Sequence, residues 1–369
     1  MRSVVRLILA TAAACGSIAA AAAAQGAAGD SAAVLAGVVV GQDDGTPLGY
    51  SVVSIPGIGP LGTERYAGPR GTFAFPDLPP GAYTLRVKHL GYAPAEVPVQ
   101  LLRGRVEVRV ALTRVVVRLP VVVVRPECTT PGAPDPAVAP DFAVLFDQVR
   151  QNAERYRLLA REYPYQYVVE RTFSDQLRNG EYPITRVDTV AFASNTGWRY
   201  APGRMVRTEV YGWRRERVLT LPTLADIVDS AFLANHCFFY AGLDTLTGVT
   251  LLRVDFMTAK RLRAPDIDGS VYLDTATYQI RGDRIRLTRV PSALQGLDGV
   301  TATTLFQEVV PAVPIRSYVV GRNVFRQQPG GRGRVATIET QTLLEVHFLR
   351  AIPGAVPRSS REPSAPPGR

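Results

Sequence analysis

The sequence predicts a mainly β chain: a small N-terminal β-sandwich, then a second unit in which helices pack on a long antiparallel meander. Three observations predict it. Hydrophobic residues make up 46% of the 369 positions and charged residues 20%, enough apolar material for real cores. Gly (32) and Pro (29) are spread along the chain and cut it into short apolar runs, as strands and turns require. Many of those runs alternate apolar with polar residues, the period of a half-buried strand.

Residues 1–24 read as a secretory signal. Arg2 and Arg6 give a short positive start, Leu7 opens an alanine-rich apolar stretch, and Ala22-Ala23-Ala24 supplies small residues before Gln25. A membrane anchor is disfavoured, because no later run reaches ~20 apolar residues. Cys15 follows Ala12-Ala13-Ala14, a degenerate lipobox with Ala12 where leucine is usual. Use of that site would make Cys15 a lipidated N-terminus.

The sandwich is expected over residues 34–113. Val34–Val40 is a β-run ended by the turn Gln42–Pro47, in which Gly45 suits a positive φ. Val52–Ile55 is the next strand. Gly71–Phe75 alternates, with Phe73 and Phe75 on one side. Asp77-Leu78-Pro79-Pro80-Gly81 is a tight turn. Ala82–His89 alternates again, with Tyr83, Leu85 and Val87 together, and Val106–Leu112 closes the set. Strands at this spacing indicate a sandwich.

The ordered run Gly45-Thr46-Pro47-Leu48, Val53–Gly57, Gly71–Leu85 and His89-Leu90-Gly91-Tyr92 resembles the carboxypeptidase regulatory-like domain. The resemblance spans about a fifth of the chain. It implies a transthyretin-like, prealbumin-type sandwich without catalytic residues. Such modules are appended to zinc carboxypeptidases, stand before outer-membrane receptors and occur on surface proteins. The motif residues Gly71, Phe73, Leu78, Pro80, Gly81, Tyr83, Gly91 and Tyr92 all have structural readings. Gly81 and Gly91 are expected where the backbone needs glycine, Phe73 and Tyr83 in the core, and Tyr92 at a core or corner.

Residues 114–140 are expected to connect the two units. Val115–Val117 and Val121–Val124 are β-prone, and the five prolines from Pro126 to Pro140 predict a stiff, extended connection. Residues 141–350 form the second unit. Asp141 suits an N-cap. Phe142, Leu145, Phe146, Val149, Tyr156, Leu159 and Tyr163 then make one apolar helical stripe. Tyr165–Val169 starts the meander, continued by Met205–Tyr211, Val249–Phe256, Gly269–Asp274, Tyr278–Val290, Thr301–Val309, Ile315–Gly321 and Val335–Leu349. One further helix, Asp226–Asn235, is announced by a capping box at Thr223 and Asp226. The hairpin Gly269–Arg281 is similar to one in envelope proteins with lipoprotein-carrier-like half-barrels. That weaker resemblance, of residues 165–350, implies a curved antiparallel sheet with helices in its mouth. Residues 351–369, rich in Pro, Ser, Gly and Arg, are expected to be disordered.

The formal charge is +10, and +8 once Arg2 and Arg6 leave with the leader; Lys88 and Lys260 are the sole lysines. Arginines such as Arg281, Arg284, Arg286 and Arg289 alternate along strands instead of clustering with aromatics. That reads as a solvated face in preference to a nucleic-acid site, while leaving peripheral contact with an anionic membrane open. Cys128 and Cys237 remain after cleavage. An even pair in an exported protein favours a disulfide; two separate buried thiols are the alternative.

No catalytic, metal or cofactor site emerges. His89, His236 and His347 lie in no zinc motif, and no P-loop or G-x-S-x-G run is present. His236 beside Cys237 allows a thiol nucleophile only on paper. Asp266, Asp268 and Asp274 echo a calcium loop but lack its terminal Glu. The expected function is that of a non-catalytic envelope protein. Its sandwich would be a binding or scaffold module, and its half-barrel would hold a lipid or protein partner. The alternatives are an adhesion module binding glycan through sandwich aromatics near Tyr50, Tyr66 and Tyr92, and an accessory to a peptidase.

Overall fold

The computed structural model describes residues 33–350 apart from 59–62, 118–126, 195–198, 212–213, 221, 291–293, 295, 312 and 327–333. The expected leader with Cys15, the Val121–Val124 run and the tail 351–369 lie outside the described residues.

Seven strands build the first unit: β1 (Ala33–Gly41), β2 (Val52–Ile55), β3 (Thr63–Tyr66), β4 (Thr72–Leu78), β5 (Gly81–Lys88), β6 (Ala95–Leu101) and β7 (Gly104–Leu112). They form two sheets, ordered β4-β1-β7 and β3-β2-β5-β6. β1 runs antiparallel to β4 and parallel to β7. The period-2 pattern sends Leu35, Phe73, Phe75, Leu85, Val87, Val99 and Val110 into one shared core. Burying each such side chain contributes about 1.5–3 kcal/mol before the entropy of ordering is counted. Phe73 and Phe75 meet edge to face, centroids 6.1 Å apart. β3 and β6 escaped the sequence reading. β3 is four residues long, and β6 carries Pro98, which an edge strand tolerates.

The second unit comprises α1 (Pro140–Glu162), β8 (Tyr165–Leu177), β9 (Ile184–Ala193), β10 (Val206–Tyr211), β11 (Arg214–Leu219), α2 (Leu224–Ile227), α3 (Ser230–Leu233), β12 (His236–Leu246), β13 (Val249–Thr258), β14 (Ile267–Leu273), β15 (Ile280–Leu287), β16 (Leu297–Val310), β17 (Val313–Phe325) and β18 (Arg334–Phe348). Nine strands make one antiparallel, half-barrel-like sheet, ordered β12-β13-β14-β15-β16-β17-β18-β8-β9; β10 and β11 form a separate hairpin. The sheet is open, since its end strands β12 and β9 do not pair with each other. α1 lies against one face. Phe142, Leu145, Phe146, Val149 and Ala153 join α2, α3 and β12–β16 in the largest core. Leu159 joins Tyr165, Val313 and Ile315 in a second core.

Several local expectations are corrected. α1 is capped at Ala139, with Pro140 in its first turn; Asp141 lies inside that turn and does not cap it. The single helix expected over Asp226–Asn235 is two one-turn helices. Thr223 N donates to Asp226 Oδ2 (2.8 Å), as in a capping box, and Thr223 Oγ1 donates to the same oxygen (2.7 Å). The helix then ends at Val228, and Asp229 caps α3 through Ala231 N. β9, β11 and β12 were not foreseen. β15 begins at Ile280, because Tyr278 adopts φ 55° inside a turn. Residues 127–139 are bends and turns, not an extended rod. Lys260 N donates to Cys128 O (2.8 Å) and Gly132 N to His236 O (3.0 Å), which ties this segment to the β12–β13 end of the sheet.

Candidate functional site

The motif residues of the sandwich occupy distinct places. Phe73 and Leu78 are buried, while Pro80 is exposed between β4 and β5. Gly71 has φ 71°, and a Cβ there would stand 2.5 Å from Val39 O; Gly91 has φ 79°. Gly81 has no positive φ, which corrects the expectation for it; Asp77 (φ 58°) is left-handed instead, inside β4 where its pairing with β1 shifts register. Tyr83 is half-buried, not central. Its body packs on the core and its hydroxyl donates to Pro79 O (2.6 Å). Tyr92 is buried at a corner, its oxygen accepting from Arg114 Nη2 (3.2 Å).

Of the three tyrosines proposed as a glycan platform, Tyr50 and Tyr66 are covered by the second unit, and Tyr92 is buried in the sandwich's own core. Tyr50 and Tyr92 are each 8% exposed. Tyr66 packs beside Tyr163 and donates its hydroxyl to Arg155 O. The cover is α1. Gln148, Gln151, Asn152 and Arg155 recur at helical spacing and are at most 2% exposed. They make a polar stripe buried between the two units. Gly91 N donates to Gln148 Oε1 (2.8 Å), and Arg155 Nη1 to Tyr50 O (2.7 Å). Asn152 Nδ2 donates to Tyr278 O (3.0 Å), and Ile280 N donates to Asn152 Oδ1 (3.1 Å). Lys88–Glu154 (2.6 Å) and Arg161–Glu64 (3.2 Å) flank the seam. Burial lowers the Arg155 guanidinium to about 10, against the pull of Tyr66 and Glu154. The same stripe shapes His89, whose Nδ1 lies 3.0 Å from Ser51 Oγ. Burial, then Arg155, lower its imidazole to about 3, so it is neutral.

The helix-facing side of the sheet is filled. Phe232 stacks on His236 at 3.8 Å and meets Tyr200 and Phe256 edge to face. His236 is fully buried, with its ring nitrogens 2.9 Å from Phe232 O and 3.0 Å from Ile267 O. Its neighbour Cys237 is bonded to Cys128 (Cα–Cα 5.5 Å), so no thiol stands beside that histidine. His89, His236 and His347 are not brought together. His347 is exposed beside Glu345 (2.8 Å). The three aspartates of the calcium echo also part company. Tyr200 donates to Asp266 in the core, Asp268 bonds Thr258 and Arg286 on the outer face, and Asp274 caps the Ala276–Thr277 turn. Among the described residues no cluster of three metal-ligating side chains forms, and no helix is long and apolar enough to cross a membrane.

The opposite face of β13–β16 carries a polar groove of about 380 Å³. Alternation explains it: Val254, Phe256, Val271 and Ile285 point into the core, so their neighbours point out. Strand register then sets Asp255, Ser270, Arg284 and Thr303 side by side across four strands. Arg253 Nε donates to Asp255 Oδ1 (2.7 Å) and its Nη1 to Asp244 Oδ2 (3.0 Å). Ser270 Oγ donates to Asp255 Oδ1 (2.6 Å), and Tyr272 OH to Asp244 Oδ2 (3.2 Å). Arg284 lies over the Tyr272 ring, 5.3 Å from its centroid, and Arg286 bonds Asp268 (2.9 Å). Burial pushes the Asp244 carboxyl up, but the Thr245 amide, Tyr272 and Arg253 outweigh it and hold it below its ordinary value. The sequence showed these arginines as a solvated strand face. What it did not show was which carboxylates the register sets beside them.

Residues 34–113 match the family model of the carboxypeptidase regulatory-like domain. No curated protein matches the chain. Among solved structures, one is a domain named for outer membrane lipoprotein sorting, from Vibrio parahaemolyticus. It is 8% identical with a TM-score of 0.31, over 57% of this chain and 92% of that one. Another is a DUF1329 family protein from Desulfovibrio piger ATCC 29098, 6% identical with a TM-score of 0.31, over 56% of this chain and 94% of that one. Both overlaps are long but loose, and neither assigns this chain a ligand.

Proposed function

We propose that the chain is an exported, non-catalytic binding and scaffold protein of the bacterial envelope. In this reading α1 joins the regulatory-like sandwich and the half-barrel-like sheet into one body, and partners meet its outer surfaces. The observation that carries it is the polar stripe Gln148-Gln151-Asn152-Arg155, buried between the units. Gln148 and Arg155 bond the sandwich at Gly91 N and Tyr50 O, and separating the units would leave those groups unpaired. The expected leader at residues 1–24 and the Cys128–Cys237 bridge agree with an oxidising compartment. A lipid carrier needs open space under the helix, and that space holds Phe232, Phe238 and Phe256 instead.

Two measurements test the proposal. Fractionation of the native cell should place the protein in the envelope with an oxidised bridge and a start at Gln25, or a lipidated start at Cys15. A cytoplasmic, reduced protein overturns export. Calorimetry of the full chain should give one cooperative transition. Two independent transitions, one for each unit, overturn the single body.

A further inference from the structure

We propose that one end of the half-barrel-like sheet, built from the segments 200–204, 259–265 and 286–290, is a docking surface for an anionic lipid bilayer. The inference rests on reading the chain as an exported envelope protein and names the partner of one outer surface. The fold gathers there cations that the sequence scatters. Arg204, Lys260, Arg261, Arg263, Arg286 and Arg289 are all exposed. Hydrogen bonds and register hold the segments side by side. Arg289 Nη1 donates to Arg263 O (3.4 Å), Thr288 N to Asp266 O (2.7 Å), and Arg286 stands opposite Asp268. Tyr200 donates its hydroxyl to Asp266. Gly203 packs on the same turn, where a Cβ would stand 3.0 Å from Ala264 Cβ.

Acidic groups do not offset this charge. Asp266 is buried against Tyr200. Glu127 bonds Lys260 (2.6 Å), and Asp268 bonds Arg286 (2.9 Å). Asp298, exposed at the start of β16, is the further acid at this end. Arg261 bonds the neutral Ala234 O and Asn235 Oδ1, and Arg289 bonds a main-chain carbonyl. Arg204, Arg261, Arg263 and Arg289 thus have no carboxylate partner among the described residues. Guanidinium groups on turns make a rim, and their long stems let each charge reach a plane. A layer of anionic headgroups is such a plane and asks for neither pocket nor register. Each arginine brought near it adds to the attraction, and the charge of +10 on the whole chain acts in the same direction at longer range. Tyr200, the sole aromatic residue of the three segments, is buried, so no ring is offered for stacking on a base or sugar.

The test is flotation with vesicles of phosphatidylglycerol and phosphatidylethanolamine, beside vesicles of phosphatidylcholine alone. The purified protein begins at Gln25, so that the apolar leader cannot itself enter the bilayer. Arg263→Glu with Arg289→Glu reverses two exposed cations, and Arg70→Glu with Arg103→Glu makes the same change of net charge at exposed sites on the sandwich. The expected result is flotation with the anionic vesicles and not with the neutral ones. It should be lost as added salt shortens the screening length from ~10 to ~3 Å. Binding should be about tenfold weaker or more in Arg263→Glu with Arg289→Glu, and unchanged in the sandwich pair. If circular dichroism shows the first pair unfolded, Arg263→Gln with Arg289→Gln takes its place and should weaken binding about threefold or more. Overturning results are no flotation with anionic vesicles, equal flotation with neutral ones, or equal weakening by the two charge-reversed pairs, which would assign the attraction to net charge. Binding of a heparin hexasaccharide without flotation would give the surface to an acidic glycan and overturn the lipid assignment. An envelope protein that melts as one body yet does not float would sink this inference and leave the scaffold reading standing.

Discussion

Asp283 on β15 faces Thr304 across the sheet and is 7% exposed. Burial raises its carboxyl to about 6, and Arg316 with Thr304 pulls the other way without cancelling the rise. The native state therefore keeps a proton that the unfolded chain loses near 3.8. Between those values the native state binds more protons, so this residue's effect on stability worsens as pH rises through that window. Asp283→Asn should remove the slope and gain on the order of 2–3 kcal/mol at neutral pH relative to pH 3, from 1.36 kcal/mol per pKa unit. Urea midpoints of wild type and variant at both pH values check this, and a gap that does not widen with pH refutes it. His89 acts in the opposite sense. Its native imidazole resists protonation down to about 3, while the unfolded chain protonates near 6.5. Stability is thus lost as pH falls below 6.5. His89→Asn should narrow that loss, so its midpoint relative to wild type should be higher at pH 4.5 than at pH 7.5. An equal difference at both pH values would place the acid sensitivity elsewhere.

At the scale of the element, α1 shows what a sequence reveals and what it hides. Phe142, Leu145, Phe146, Val149 and Leu159 follow helical spacing and are buried, as their periodicity predicts. Gln148, Gln151, Asn152 and Arg155 have the same spacing, but polar side chains normally mark a solvent face. The sandwich covers Gln148 and Arg155, and the second unit's own Tyr278–Ile280 segment covers Asn152, contacts between residues more than fifty positions apart that no local pattern encodes. Asn152 is the member with the clearest consequence. Asn152→Ala leaves Ile280 N and Tyr278 O without their side-chain partner in the buried turn between β14 and β15. At about 1–3 kcal/mol for each of the two stranded groups, the loss should be about 2–6 kcal/mol in a urea titration. A loss under 1 kcal/mol would mean that water reaches these groups more readily than their burial implies. β12 was hidden for a related reason. His236-Cys237-Phe238-Phe239-Tyr240 is covered on both faces at its start, so it lacks the alternation that revealed β4 and β5. The outer groove was half legible. Arg284 and Arg286 were read as a solvated face, whereas their opposition to Asp244, Asp255 and Asp268 depends on strand register.

For the whole molecule, the disulfide closes the longest local constraint. Cys128 and Cys237 are 109 residues apart and 2% and 8% exposed, packed with Ala259 beside Phe239 and Met257. The bridge encloses α1, β8, β9, the β10–β11 hairpin, α2 and α3 in one loop, so it limits the unfolded chain where the sheet order departs from sequence order. β8 must leave α1, cross the molecule and pair with β18, and the first strand of that sheet in sequence ends up next to the last. Holding the start of α1 against β12 reduces the alternatives open to that long-range pairing. The chain-entropy account puts the stabilisation at roughly 4–5 kcal/mol for a loop near this length, acting on the unfolded state. The double variant Cys128→Ser with Cys237→Ser should therefore keep its circular dichroism spectrum, because Lys260 N and Gly132 N still tie the linker down. Its urea midpoint should fall, and refolding should slow, since more of the contact-order cost is met without the covalent tie. A midpoint within experimental error of wild type would show that the enclosed loop is already restricted in the unfolded chain. An unfolded double variant would instead make the bridge a condition of the fold, with the linker contacts too weak to hold α1 in place alone.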